Sequence, residues 1–360
     1  MKKILRLIKR KPLFVQLNTS TFGHFVVESE LYAKKAKVSS KLKIIFYPQK
    51  TISNLYWWKL LEHRLFIVPE FLGRAFDWIA RRTSKEYVRV KNEFTRVNLI
   101  DYSVFSVFES KSILNFSDHE YQELQNIFDQ SRLIKGEPTI CVSLRDHKYD
   151  QIFGEEVVNA QKHRNLPSVW YNAIVENLIS KKIQVVRVGN HGFPFFEKKP
   201  ELFLDYTQIQ NQSEALGFLF AANCDFFVST GTGIDAMALA ARKKIYSINF
   251  FPLGTIYPTH LTPLYLVQDY VFIEGKKKIS RNYIFDNGLE NLTLPELVKF
   301  GICIKPKNLE IVLAFIDLIV TLEFCNHQAV CERGSCSEKS MQLDTFCKRW
   351  GLEMFDRVIY

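Results

Sequence analysis

Residues 225–249, DFFVSTGTGIDAMALAARKKIYSIN, constrain the fold more than any other stretch of the chain. The apolar run from Phe226 to Val228 predicts a buried strand, and a second apolar run at 245–248 predicts another. Between them, a short turn of serine, threonine and glycine precedes an alanine-rich helix. Because parallel strands need a long crossover, usually helical, this succession predicts a βαβ unit of a parallel sheet.

The turn consists of Ser229, Thr230, Gly231, Thr232 and Gly233. It precedes a helix start, where unpaired backbone N–H groups and the helix dipole favour an anion. Small residues let a phosphate approach the backbone, and threonine hydroxyls are suited to capping the helix. The turn has neither the lysine of a P-loop nor the spacing of a dinucleotide fingerprint. Taken alone, it is consistent with a phosphate site or with an ordinary strand–turn–helix connection.

Composition and charge narrow the class of protein. A chain of 360 residues with 47% apolar and 24% charged residues is long enough for two globular domains. No apolar run approaches the roughly 18 residues that span a bilayer. The basic start is followed by too short an apolar segment for a signal peptide, so we expect a cytoplasmic protein.

The net charge of +10 indicates an anionic partner, which could be a nucleic acid, a lipid surface or a phosphorylated ligand. The first eleven residues, MKKILRLIKRK, interleave six basic residues with aliphatic ones. This segment is suited to an anionic membrane face, which would make the protein peripheral on the inner membrane. A basic terminus that merely precedes the first strand explains it equally well.

The first half of the chain reads as one domain, residues 1–134. Strands are predicted at 13–17, 42–46 and 65–68, with an aromatic helix before the third. His24 follows the first strand and lies near the start of a helix that extends to about residue 35. Ser117 and Glu120 form a capping box for a helix that ends near residue 133. The pattern from 71 to 112 is weak, and strand-like pieces are indicated only near Val88 and Val97.

The segment KGEP at 135–138 breaks the pattern and begins a second domain, residues 135–324. Strands are predicted at 139–144, 184–188 and 202–204, followed by the opening stretch. Residues 255–306 read as loop-rich, and an apolar helix is predicted at 308–323. The tail, 325–360, carries cysteines at spacings that match no zinc motif, so we predict no metal site there.

Polar residues follow the predicted strands of this second domain at one edge. Arg145 follows the first strand, Arg164 and Asn165 follow in its loop, Asn190 ends the next, and Gly254 follows the last. Open α/β sheets bind ligands at the carboxyl ends of their strands, so these positions favour a ligand site.

Several of these segments together resemble a bacterial family of glycosyltransferases that accompany surface-polysaccharide genes. The likeness lies in FGHFVVESELY (22–32), KIIFYP (43–48), VSLRDHKYD (142–150), HRN (163–165), VVRVGN (185–190) and STGTGIDAMALAARKKIYSINFFPLG (229–254). It covers roughly residues 13–320. Arg145 and the Ser/Gly turn are also similar to motifs of fucosyltransferase-like enzymes.

The resemblance implies an α/β fold of GT-B type, in which two Rossmann-like domains with mostly parallel sheets face each other across a cleft. It implies a nucleotide-diphosphate sugar as donor on the C-terminal domain, and a glycan or lipid-linked glycan as acceptor. No cofactor is expected, and no Asp-x-Asp metal motif ends a strand, so cationic side chains and amides would stabilise the leaving pyrophosphate.

Within that scheme each site residue has an expected role. Arg145 stabilises the pyrophosphate, unless it forms a salt bridge to a nearby aspartate. Ser229, Thr230, Gly231, Thr232 and Gly233 bind the donor, together with Arg164, Asn165, Asn190 and Gly254. His24 is the candidate base of an inverting transfer, with Glu28 one turn on to orient it or to act itself. A retaining transfer would need no base, and His24 would then bind only.

Other classes stay open. A nucleotide-sugar epimerase on the same fold would need no acceptor surface. A basic nucleic-acid binder is disfavoured because Lys and Arg are dispersed and no recognition motif appears, so no nucleic-acid partner is expected.

Overall fold

The computed structural model describes residues 13–38, 44–48, 51–83, 108–145, 162–189, 196–198, 200–209, 213–255, 260–324, 344–345 and 347–349. Two compact units are present. Unit 1 comprises Met1–Gln125, Asn211–Asn223 and Gly233–Lys243, and unit 2 comprises Asn126–Gln210, Cys224–Thr232 and Lys244–Tyr360. Both units are therefore discontinuous in sequence. Domain bounds at 1–134, 135–324 and 325–360 stay a prediction.

Strands and helices alternate along most of the described chain. In order they are β1 Leu13–Gln16, α1 Phe22–Val38, β2 Ile44–Tyr47, α2 Leu55–Glu62, α3 Glu70–Thr83, α4 Asp118–Ser131, β3 Thr139–Ser143, α5 Ser168–Ser180, β4 Gln184–Arg187, β5 Phe203–Asp205, α6 Leu216–Asn223, β6 Phe226–Ser229, α7 Asp235–Ala241, β7 Lys244–Phe250, β8 Leu264–Val267, β9 Asp269–Phe272, α8 Arg281–Asp286, α9 Leu294–Lys299, β10 Ile302–Lys305 and α10 Leu309–Phe324.

Unit 1 contains a two-stranded parallel sheet, β1 beside β2. The strand predicted at 65–68 is only an isolated parallel bridge between Phe46 and Ile67. Trp57 is fully buried and stacks on Phe218 of α6, with ring centroids 5.4 Å apart. Its indole N–H donates to the hydroxyl of Ser29 at 2.9 Å, so the largest core side chain of this unit has its polar atom satisfied.

A partly buried arginine, Arg242, connects three segments of unit 1. Arg242, in the left-handed conformation just after α7, pairs with the carboxylate of Glu30 on α1 at 3.0 and 3.2 Å. Its Nε donates to the carbonyl of Ser110 at 2.8 Å. Burial outweighs the attraction of Arg242 and raises the pKa of the Glu30 carboxyl above its ordinary value.

Unit 2 is built on a six-stranded sheet in the order β5-β4-β3-β6-β7-β8, and every pairing in it is parallel. Strands β3, β4 and β6 are buried along their whole length. Consecutive apolar residues at the centre of each strand are typical of parallel strands, which are covered on both faces. Helices α5 and α10 pack with the sheet in one apolar core. The chain is thus a mixed α/β protein with a predominantly parallel sheet, as the sequence predicts.

The strand order reverses between β3 and β6. From β3 the chain proceeds outward through β4 and β5, and from β6 it proceeds the other way through β7 and β8. The chain therefore continues in opposite directions across the sheet after β3 and after β6. Such a switch point is where open α/β sheets bind ligands.

Six elements were missing from the sequence prediction. Helix α3 lies in the segment 71–112 whose pattern is weak, and the positions near Val88 and Val97 lie outside the described residues. The loop-rich segment 255–306 contains β8, an antiparallel pair of β9 and β10, and two short helices. That pair has its own apolar core, which includes Tyr270, Ile284 and Leu297. The capping box of α4 is confirmed, since Ser117 N–H donates to Glu120 at 2.7 Å.

A buried ion pair joins the ends of β4 and β5. Arg187 is almost completely buried, and its Nη1 lies 3.0 Å from Oδ2 of Asp205. The other carboxylate oxygen of Asp205 accepts from the backbone N–H and the hydroxyl of Thr207. Both oxygens of this carboxylate are thereby paired, as burial requires.

Among the described residues, no helix has the length and apolar character needed to cross a bilayer.

Candidate functional site

The turn after β6 lies at the switch point and is held from β3. Ser229 is buried opposite Ser143 in the register of the two strands. The hydroxyl of Thr230 accepts from the N–H of Arg145 at 2.9 Å, and the N–H of Thr230 donates to the carbonyl of Ser143 at 3.2 Å. The hydroxyl of Thr232 is hydrogen-bonded to that of Ser143. The loops that leave β3 and β6 are therefore joined side by side.

These bonds correct one expectation about the turn. The threonine hydroxyls do not cap the following helix, because α7 begins at Asp235 and its N-cap, Ile234, makes no side-chain cap bond. The N–H of Gly231 donates to the hydroxyl of Ser229 at 3.0 Å, and that of Thr230 is also occupied. The sequence predicts that both N–H groups are available to an anion. In the structure both donate hydrogen bonds within the protein. Charge for an anion at this edge must therefore come mainly from side chains.

Gly231 is required by its surroundings. Its φ is +73°, which favours glycine, and a Cβ there would lie 3.1 Å from ring atoms of Phe250. The same Cβ would lie 3.7 Å from Nη2 of Arg164, so that guanidinium group is beside the glycine. The structure thus brings Arg164 and the turn together, although they are 67 positions apart (231 − 164).

The backbone before Arg164 is anchored by two buried amide side chains. A short 3-10 turn, Lys162–Arg164, carries the arginine. Gln268 donates to the carbonyl of His163 at 2.8 Å and to that of Asn249 at 3.1 Å. Asn249, whose φ is +51°, also donates to the carbonyl of His163, at 3.3 Å. Asn165 follows directly in the same segment.

Arg145 is held through its backbone on both sides. Its N–H donates to Thr230, and its carbonyl accepts from the hydroxyl of Tyr171, a buried residue of α5. The same Tyr171 hydroxyl accepts from the N–H of Leu166 at 2.9 Å. The segments that carry Arg145 and Arg164 are therefore linked through one tyrosine. Both arginine side chains are half-buried.

Sequence reasoning missed Tyr171, Asn249 and Gln268. Asn249 ends the opening stretch and follows an apolar strand, which is a signal for a residue at the ligand edge. Tyr171 and Gln268 carry no local signal, since each acts on a segment distant from it in the chain.

Gly254 has a packing explanation. A Cβ at this position would lie 2.1 Å from Oδ1 of Asn291, and the N–H of Gly254 donates to the carbonyl of Glu290 at 2.8 Å. The loop 253–255 is thus packed tightly against residues 290–291. Its role in donor binding stays a prediction. Asn190, the remaining predicted donor residue, lies outside the described residues.

In unit 1, His24 and Glu28 form a pair one turn apart on α1. Nδ1 of His24 lies 3.0 Å from Oε1 of Glu28. The histidine side chain is 39% exposed and the glutamate side chain 6% exposed. A carboxylate at this distance accepts a hydrogen bond from a protonated Nδ1. Nε2 is then the hydrogen-bond acceptor of the neutral ring. This arrangement is suited to taking a proton from an incoming hydroxyl.

The start of α1 also contacts the last residue of the turn. A Cβ on Gly23 would lie 2.8 Å from the Cα atom and 3.0 Å from the carbonyl oxygen of Gly233, and both residues belong to unit 1. Only glycine at position 23 permits this approach of the two backbones. The structure therefore groups Gly233 with His24 and Glu28, and groups Ser229 to Thr232 with Arg145, Arg164 and Asn165.

Unit 1 contains an open groove of about 540 Å³ at the start of α2. Its walls include Tyr56, Lys59, His63 and Glu120, and neither His24 nor Glu28 lines it. The carboxylate of Glu214 accepts from the N–H groups of Leu55 and Tyr56, so the N-terminus of α2 is already capped there. Among the described residues, no three metal-ligating side chains lie close enough together to hold an ion.

No protein-family model matches the chain, and no curated protein sequence matches it.

Three solved structures have a similar arrangement. The first is a glycosyl transferase family 9 protein from Veillonella parvula DSM 2008, with 10% identity over 81% of this chain and 96% of that chain, and a TM-score of 0.46. The second is the ADP-heptose LPS heptosyltransferase II of E. coli, with 15% identity over 71% of this chain and 90% of that chain, and a TM-score of 0.39. The third is the E. coli heptosyltransferase WaaC with ADP, with 10% identity over 78% of this chain and 100% of that chain, and a TM-score of 0.41. With TM-scores below 0.5, these likenesses carry no argument about the chemistry of this chain, and the similarity to fucosyltransferase-like motifs stays a prediction.

Proposed function

We propose that the chain is a glycosyltransferase that moves a sugar from a nucleotide-diphosphate sugar to a hydroxyl of a surface-polysaccharide or lipid-linked glycan. One observation carries the proposal. At the switch point between β3 and β6, the sheet of unit 2 brings together Arg145, Arg164 and the turn that contains Gly231. A sheet edge with two arginine-bearing segments beside a glycine turn is suited to a phosphorylated ligand.

The pyrophosphate is the part of the donor that this edge of the sheet would bind. When the bond between the sugar and the terminal phosphate breaks, negative charge develops on the departing diphosphate. A planar guanidinium group can donate two parallel hydrogen bonds to phosphate oxygens, and it keeps its charge at every physiological pH. In this proposal Arg145 and Arg164 supply the stabilisation, and no metal ion or other cofactor is required.

His24 is the proposed base of an inverting transfer. The acceptor oxygen forms a bond to the anomeric carbon of the sugar, the bond from that carbon to the diphosphate breaks, and the hydroxyl proton passes to Nε2 of His24. Glu28 holds the other ring nitrogen at 3.0 Å and stabilises the imidazolium ion that forms. A retaining transfer would leave His24 with a binding role only.

The proposal assigns the donor to unit 2 and the acceptor to unit 1. The GT-B architecture that the family resemblance implies is part of the same proposal. The groove at the start of α2, with an aromatic ring and charged groups on its walls, is suited to part of a glycan acceptor. Residence in the cytoplasm, at the inner membrane face, is part of the same proposal.

The direct test is calorimetric titration with a panel of UDP-, GDP-, ADP- and CMP-sugars. Wild-type protein should bind at least one of them, and Arg164→Ala should weaken that binding by about tenfold or more, as loss of a charge-assisted contact predicts. Gly231→Val should abolish it, because the added side chain meets Phe250 and points toward Arg164. If no nucleotide sugar binds, or if binding survives both substitutions, the proposal fails.

Gly288→Val is the matched control for backbone strain. Its φ is +66°, close to that of Gly231, but a Cβ there meets nothing within 4 Å. Gly288→Val should therefore impose similar backbone strain without the contact with Phe250, and donor binding should be retained. Loss of binding in both variants would indicate general unfolding, and the test would then rest on Arg164→Ala.

Product analysis separates the alternatives. An epimerase would convert the nucleotide sugar without an acceptor and would keep full activity in a variant that lacks the basic first eleven residues. A nucleic-acid binder would show strongly salt-dependent binding to random DNA and no nucleotide-sugar binding.

A further inference from the structure

Helix α3 carries an exposed stripe of aromatic and arginine side chains on unit 1. Phe71 is 70% exposed and Trp78 is 57% exposed, although large aromatic residues are normally buried. At 100° per residue, Phe71, Trp78 and Arg82 lie within about 40° of one another around the helix axis. Arg74 lies on the same side, about 60° away. We call Phe71, Arg74, Trp78 and Arg82 the α3 stripe.

The opposite side of α3 holds the helix against unit 1. Gly73 is buried, and a Cβ there would lie 2.3 Å from the ring of Tyr47 in β2. Gly73 lies about 145° from the centre of the α3 stripe around the axis. The contact of the glycine with Tyr47 therefore fixes the helix orientation, and the stripe faces away from the sheet.

One cation of the stripe, Arg82, lies against an aromatic ring, and the other, Arg74, is paired with a carboxylate. The guanidinium carbon of Arg82 lies 3.6 Å from the centroid of the Trp78 ring, which is a cation–π contact. Arg74 is 61% exposed and lies 2.6 Å from Glu70. Aromatic rings flanked by long cationic side chains match a lipid headgroup region, where the rings enter the acyl boundary and the guanidinium groups meet phosphates.

We propose that the α3 stripe is a membrane contact that lays unit 1 on an anionic lipid surface. The charge of the chain supports this partner, since a net charge of +10 attracts anionic headgroups. Binding strength of such helices depends on buried apolar area together with electrostatic attraction, and the stripe supplies both. The inference concerns where the protein is held, so it stands whether or not the proposed reaction is correct.

A second copy of the chain is a poorer match to this surface. The side chains of Phe71 and Trp78 have about 150–250 Å² of surface each and are 70% and 57% exposed. Together they offer roughly 250 Å² of accessible aromatic surface. Stable protein interfaces bury about 800 Å² per partner. The two exposed arginine residues of the stripe would also repel the same residues of a symmetry-related copy.

The experiment is co-flotation of the full chain with vesicles. Vesicles of equal parts phosphatidylglycerol and phosphatidylcholine are compared with vesicles of phosphatidylcholine alone. Wild-type protein should bind the anionic vesicles, and Phe71→Ser with Trp78→Ser should weaken this binding by about tenfold or more. Arg74→Gln with Arg82→Gln should weaken it by a smaller factor, and only on anionic vesicles.

The matched control is Val169→Ser with Phe300→Ser on unit 2, two apolar positions that are 66% and 61% exposed. This variant should bind as wild type does. All variants keep the basic first eleven residues, so any loss belongs to the stripe. Unfolding is monitored by circular dichroism, and the arginine variant gives an independent reading if the serine variant is unstable.

Three outcomes would overturn the proposal. Wild-type protein could fail to float with anionic vesicles, or the serine variant could float as wild type does. Alternatively, wild-type protein could be a dimer by light scattering and the serine variant a monomer, which would assign the stripe to contact between copies.

Discussion

Nδ1 of His24 lies 3.0 Å from Oε1 of Glu28, one turn further along the same helix. Because the glutamate is almost fully buried and the histidine is partly exposed, the pair has one inner and one outer member. The buried carboxylate of Glu28 fixes the orientation and tautomer of the His24 ring. Nε2 of the ring is then left to contact a bound acceptor. This geometry makes the predicted catalytic role testable.

His24→Ala should lower kcat of sugar transfer by about 100-fold or more, as loss of a general base does. Glu28→Gln keeps the shape but not the charge and should lower kcat by a smaller factor. Donor Kd, measured by calorimetry, should stay within twofold for both. His119→Ala, at an exposed position of α4, is the control and should leave kcat unchanged. A His24→Ala enzyme with nearly wild-type kcat would exclude His24 as the base.

Gly23→Ala should destabilise unit 1. The new Cβ would lie 2.8 Å from the Cα of Gly233, and backbone atoms cannot give way as a flexible side chain can. Such overpacking costs about 1–3 kcal/mol, from which the better helix propensity of alanine subtracts up to about 1 kcal/mol. Urea denaturation measures the free energy of unfolding, with Ser20→Ala at an exposed position of the preceding loop as the control. A stability equal to wild type would show that the two segments can separate freely.

Arg187→Met should destabilise unit 2 by about 3–5 kcal/mol, because it leaves the Asp205 carboxylate without its buried cation. The double variant Arg187→Met with Asp205→Asn should recover part of that loss, since no charge remains buried. Lys181→Met breaks a more exposed pair with Asp317 and should cost less than about 1 kcal/mol. If Arg187→Met and Lys181→Met lowered the free energy of unfolding equally, burial of the ion pair would not determine its contribution to stability.

Acid should weaken the contact of Asp269 with Lys307 and Lys278. Burial disfavours the ionised carboxyl, but the two ammonium groups outweigh it and hold the pKa of Asp269 below its ordinary value of 3.8. A depressed carboxyl pKa contributes stability that is fully present above the unfolded-state pKa and is lost as pH falls through the folded-state pKa. Asp269→Asn should therefore be less stable than wild type at pH 7, and the difference should shrink below about pH 4. Thermal melts of both proteins across this range check it, and a difference independent of pH would contradict the assignment.

Local patterns predicted the strands and helices whose residues report their surroundings directly. Strands β3, β4 and β6 are buried throughout and have apolar residues at their centres, and the box at Ser117 and Glu120 marks a helix start by chemistry that is complete within four residues. The sequence did not predict helix α3, because Phe71 and Trp78 on its exposed face obscure the helical periodicity of apolar residues. The β9 and β10 pair was not predicted because its paired residues are distant in sequence, with Phe272 and Ile302 separated by 30 positions.

The candidate site divides in the same way. The sequence by itself determined that polar residues follow buried parallel strands, and that Ser229 to Gly233 forms a tight turn between strand and helix. Only the tertiary structure decided that Thr230 holds Arg145, that Gln268 and Asn249 anchor the segment of Arg164, and that this guanidinium lies beside Gly231. It also decided that Gly233 packs on Gly23. The physical reason is that propensity and burial act on neighbours in sequence, whereas strand order and side-chain hydrogen bonds join residues that the chain separates by dozens of positions.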